Sequence, residues 1–136
     1  VLDLNRRSTR GAAYLGRWAQ RFALTAHSLW LQDMIITGIQ EKIRSRSYEF
    51  SRHAVDQSIR RDISVGELEE ALVGNIEIIE DYPDDKYGPS CLVLGYTSSG
   101  RALHVLCSYP SRSILKAITI YDPDPSQWID DRIRIS

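Results

Sequence analysis

The stretch CLVLGYTSSGRALHVLCSY, Cys91–Tyr109, decides the fold. Two runs rich in aliphatic and β-branched residues flank Ser98-Ser99-Gly100-Arg101, a segment with the length and composition of a hairpin turn. Centring the hairpin near Ser99 sets Cys91 opposite Cys107 and Leu94 opposite His104. A slip of one residue would exchange the two faces.

Outward from this hairpin the pattern splits the chain in two. After it, ILKAITIY (114–121) is a further strand, and before it IEIIEDYP (76–83) is another, separated from the hairpin by the Asp-, Gly- and Pro-bearing loop DDKYGPS. Upstream of Gly74 the periodicity is helical. Ile36, Ile39 and Ile43 form one stripe of a helix that starts weakly at Thr37 or Gly38 and runs to about Arg46. Tyr48–Phe50 is a short aromatic run of strand type. Ser51 then introduces a helix through RHAVDQSIRR, with Ala54, Val55, Ser58 and Ile59 on its inner side. Ser64 and Glu67 make a capping box for a third helix, whose buried stripe is Val65, Leu68, Leu72 and Val73 and whose stop is Gly74. The expected fold class is α+β: N-terminal helices packed on one face of a four-stranded antiparallel sheet. In the tail, Trp128 is expected to pack back on the domain edge and the last six residues to fray.

The 136 residues suit one domain. The formal net charge of −1 hides an asymmetry. Residues 1–33 hold five basic and two acidic side chains, and residues 34–136 hold twelve basic and sixteen acidic, so the parts carry +3 and −4. Met34, the single methionine, stands where the composition changes, which suggests that residues 1–33 are an extension and that residues 34–136 are the domain proper. No uninterrupted apolar run reaches the roughly 18 residues of a membrane span. Two cysteines without a CxxC or HxxxH pair imply neither a disulfide framework nor zinc, and the expected location is the cytoplasm.

Polar residues inside apolar elements are the candidates for chemistry. These are His53 with Arg60 or Arg61 on the second helix, Arg101 and His104 in the hairpin, and Tyr121 closing the last strand. Histidines titrate near neutrality and arginines hold phosphates bidentately, so the set is what a metal-independent ribonuclease needs. Each also has a structural reading: a histidine bound to a carbonyl, solvated helix arginines beside Asp56, Asp62 and Glu67, a core tyrosine with its hydroxyl at the rim. On an ideal strand, positions 101 and 104 point to opposite faces, so Arg101 and His104 converge only if Arg101 belongs to the turn or a bulge intervenes. The acidic run Glu80–Asp85 reads more simply as a solvated edge than as a magnesium site. No cofactor is expected.

The stretches YEFSRHAVDQSIRRDISVGELEEAL, IIEDYPDDKYGPSCLVLGYTSSGRALHVLCSY and ITIYDPDPSQW resemble the bacterial domain-of-unknown-function family numbered 4258, from about Ile39 to Trp128. That family is similar to the RelE/barnase-like toxins. The resemblance implies a ribonuclease toxin of a toxin–antitoxin pair, acting on RNA, with a zinc-finger antitoxin as a further partner. Its motif positions correspond to Ser51, His53 and Ala54, to Gly100, Arg101, Leu103, His104 and Val105, and to Thr119, Tyr121, Pro123 and Asp124. In that reading His53 or His104 deprotonates a ribose 2′-OH and the other protonates the departing 5′-oxygen. Arg101 with Arg60 or Arg61 stabilises the phosphorane, and Tyr121 orients a base. The alternative is a non-catalytic interaction module that uses the acidic edge to bind a basic partner.

Overall fold

The computed structural model describes residues 26–136, with side chains from Leu29 onward. The hairpin has the register its sequence implies: β3 (Ser90–Tyr96) pairs antiparallel with β4 (Ala102–Ser108), Cys91 opposite Cys107 and Leu94 opposite His104. Gly100 closes the turn at φ +88°, a left-handed conformation that a side chain would strain. Outside this pair, β2 (Glu77–Tyr82) joins β3 and β5 (Leu115–Tyr121) joins β4, all antiparallel.

The sheet has one more strand than the sequence reading counted, and it is mixed. Its order is β1-β5-β4-β3-β2, with β1 (Tyr48–Phe50) lying parallel to β5. The strand type of Tyr48–Phe50 is legible in the sequence, but three residues carry too little pattern to place them in the sheet, and what recruits them is the open edge of β5. Beyond Phe50 the same edge is taken over by α2 (Arg52–Arg60). Ser51 accepts from the Ala54 N–H as N-cap and donates its hydroxyl to the Ile118 carbonyl at 2.7 Å. The Gln57 carboxamide oxygen accepts from the Ile120 N–H at 2.8 Å. An edge that would otherwise present bare amides is thereby satisfied.

That role corrects the expected inner face of α2. Ala54 and Gln57 are buried, whereas Ile59 is 73% exposed and Val55 40%. A polar side chain lies inward because the β5 amide needs an acceptor there. α1 (Ala26–Arg44) begins well before Thr37 and passes through Met34 without interruption. The change of composition at Met34 is therefore no element boundary, and the expectation of an extension lies outside the described residues for 1–25. α3 (Val65–Val73) carries the capping box of Ser64 and Glu67, and buries Leu68, Ala71 and Leu72 but not Val65.

The three helices among the described residues cover one face. Ile39 and Ile43 of α1, Ala54 of α2 and Leu68 and Leu72 of α3 meet Val93, Leu103, Val105 and Ile120 of the sheet in one core. The approach is close where α3 crosses β3: a Cβ on Gly95 would lie 2.4 Å from the Ala71 carbonyl oxygen. The other face is covered only in part, by the tail. Trp128 is buried as expected, but the last residues do not fray: β6 (Trp128–Ile129) and β7 (Ile133–Arg134) form a hairpin, with Trp128 packing on Ile79, Leu92 and Leu94. No helix among the described residues is long and apolar enough to cross a membrane.

Candidate binding cleft on the helix-free face

Strand alternation, shifted by irregularities between Ile78 and Glu80 of β2 and at Leu106/Cys107 where β4 meets β5, sends Glu80 and Tyr82 of β2, Ser90 and Leu92 of β3, Leu106 of β4, and Thr119 and Tyr121 of β5 to the face away from the helices. Together with the tail hairpin and the end of α2 they enclose a cleft of about 740 Å³. The tail supplies Trp128 and Arg134, and α2 supplies Arg61.

Its floor is ordered by one stack. The Arg134 guanidinium carbon lies 4.5 Å from the Trp128 ring centre, and the edge-on His104 ring packs 4.4 Å from the same ring. Arg134 donates from Nε and Nη2 to the two Glu80 oxygens, both at 3.0 Å, and the Tyr82 hydroxyl also donates to Glu80. The acidic run is thus more than a solvated edge, because the register shift after Ile78 turns Glu80 to the cleft face, toward the arginine that the tail brings over it.

His104 lies fully buried beneath this stack. Its Nε2 is 2.6 Å from the Asp131 carbonyl oxygen. A carbonyl can only accept, so neutral His104 carries its proton on Nε2 and its Nδ1 accepts from the Tyr121 hydroxyl at 3.2 Å. Burial lowers its pKa below the usual histidine value, against the pull of the Asp131 carbonyl. Burial likewise pushes the Tyr121 hydroxyl up to about 12, so it stays protonated at neutral pH and donates inward.

Arg101 lies just before β4, in the turn, and reaches the opposite way. Nε and Nη2 bind the two Asp122 oxygens at 2.7 and 3.1 Å. Nη2 also donates to the Arg61 carbonyl, and Nη1 to the Asp62 carbonyl and to Glu67. All five of its N–H groups are occupied. The carboxylate of Asp122 raises the Arg101 pKa further, and Arg101 with the Ser64 N–H lowers that of Glu67. The residue ties the α2–α3 corner to the ends of β4 and β5.

Of the six residues singled out in the sequence, Arg61 and Tyr121 line the cleft. His104 supports its floor and Arg101 braces its rim. His53 and Arg60 stand exposed on α2, and neither contributes to the cleft wall. The two histidines are not brought into one site. Sequence reasoning takes Glu80 only as part of a solvated acidic edge and misses Tyr82 and Ser90, because the register shift between Ile78 and Glu80 hides from simple parity which side chains of β2 face the cleft; Trp128 and Arg134 come from a tail hairpin with no long-range signature. Charge in the lining is unequal: of Glu80, Asp85, Asp122 and Asp124, Glu80 is paired with Arg134 and Asp122 with Arg101, which leaves Asp85 and Asp124 beside Arg61. No group of three or more metal-ligating side chains occurs among the described residues.

A family model described as a domain of unknown function (DUF4258) matches residues 50–122, which span α2 through the end of β5. No curated protein and no solved structure matches the chain.

Proposed function

The chain belongs to the DUF4258 family, and on that premise we propose that it is a binding module whose helix-free cleft holds a basic segment of a protein partner. The observation that carries this reading is the lining itself, with four carboxylates, two guanidinium groups and the rings of Tyr82, Tyr121 and Trp128 over an apolar floor. A cation gains from such a surface through charge and ring faces alike. Two of the groups that the ribonuclease reading calls on are engaged structurally, His104 through both ring nitrogens and Arg101 through every donor. Charge-swap variants test it: Asp124→Lys should weaken binding of a lysine-rich peptide and Arg61→Glu should strengthen it. Indifference to both would sink the reading.

A second reading keeps the RelE/barnase-like likeness of this bacterial family: a cytoplasmic ribonuclease toxin cleaving RNA by 2′-OH attack, without metal, countered by a zinc-finger antitoxin. It is favoured by Arg61 and Tyr121 sharing the cleft and by His53 and Arg60 standing exposed on the same helix as Arg61. In this reading the active groups are His53 and Arg61 with Tyr121. Release of 2′,3′-cyclic phosphate ends from RNA, lost in His53→Ala, is its expected result, and intact RNA would remove it.

A further inference from the structure

Among the described residues, the cleft lining holds a buried polar atom, Ser90 Oγ, without a hydrogen-bond partner. Ser90 is 2% exposed. It lines the cleft at the end formed by the β2–β3 loop, with Asp85 of that loop and with Leu92 and Leu106 beside it. A buried hydroxyl without a partner carries a desolvation penalty that an arriving donor removes.

We propose that Ser90 marks the subsite for a primary ammonium or guanidinium head group of the partner. Leu92 and Leu106 pack the methylene stem, Ser90 Oγ accepts from the head, and the Asp85 carboxylate supplies the charge. The division matches what long basic side chains require, an apolar sleeve for the stem and acceptors at its tip. A phosphate or carboxylate would meet Asp85 as a like charge. This inference rests on the cleft being the site of binding.

The test is titration of the isotope-labelled full chain with pentalysine, followed by amide chemical shifts. Ser90→Ala removes the hydroxyl without adding bulk and keeps the strand. Wild type should shift at Ser90, Leu92 and Leu106. Ser90→Ala should bind roughly tenfold more weakly, the scale of one hydrogen bond to a charged group. Shifts restricted to the Tyr121–Asp124 end, or equal affinity in Ser90→Ala, would overturn the subsite and leave the cleft reading standing. No shifts anywhere along the cleft would overturn both. Should the serine variant prove altered in fold, Asp85→Asn in the exposed loop carries the same expectation of weakened binding.

Discussion

Replacing His104 separates a structural histidine from a catalytic one. Its side chain is fully buried among Trp128, Tyr121 and the strand floor, and both ring nitrogens are bonded. His104→Ala removes ring contacts on two aromatic neighbours, opens a cavity, and leaves the Asp131 carbonyl unpartnered. Large-to-small changes at fully buried sites cost about 2–5 kcal/mol, and about 3 kcal/mol is expected here. For a chain of this length that lowers Tm by roughly 10 °C. His104→Phe keeps an aromatic ring but is bulkier and forfeits the hydrogen bonds, at a cost of about 1–3 kcal/mol. Urea unfolding followed by circular dichroism measures both. The titration adds a signature. Burial holds the folded pKa below the ordinary histidine value of 6.5, so between the two values the unfolded chain binds more protons than the folded one. The contribution is therefore present above pH 6.5 and is lost as pH falls through the folded pKa, and His104→Phe should lack it. A His104→Ala protein as stable as wild type at neutral pH would refute this placement of the ring. Stability unchanged with function abolished would return His104 to chemistry.

Three further outcomes are expected. Gly95→Ala drives a methyl to within 2.4 Å of the Ala71 carbonyl, which is backbone and cannot swing aside; a loss of about 1–3 kcal/mol by chemical denaturation is expected, and an unchanged midpoint would show that α3 does not cross so closely. Cys91 and Cys107 are both buried, with the Cys107 thiol pushed up to about 12 by burial, so a thiol reagent should label neither until the protein unfolds; prompt labelling at neutral pH contradicts their burial. Arg101→Lys keeps the charge but not the planar fork that grips Asp122 while serving two carbonyls and Glu67, so Tm should fall despite conserved charge; an unchanged Tm would mean that the fork contributes nothing.

The hairpin register was legible because aliphatic runs on both sides of a short turn leave few pairings that bury them. The capping box of Ser64 and Glu67 was legible because it is local. What the sequence concealed is non-local. β1 is set by the open edge of β5, and Gln57 turns inward because Ile120 needs an acceptor 63 residues away in the chain. The candidate site split along the same line. Tyr121 and Arg61 were found as polar groups ending apolar elements. Arg134 and Trp128 owe their place to a short tail hairpin whose contacts with β2 and β4 no periodicity encodes. Arg101 and His104 stood out because polar groups in apolar surroundings are conspicuous, and here that conspicuousness marks bracing contacts.

The measurement closest to the central claim sets a lysine-rich peptide and a single-stranded RNA against the same protein, with equilibrium binding and gel analysis of the RNA in parallel. Occupation of the cleft by a basic protein segment predicts that the peptide binds, that added salt weakens it, and that the RNA stays whole. RNA cut to cyclic-phosphate ends while the peptide fails to bind would contradict it.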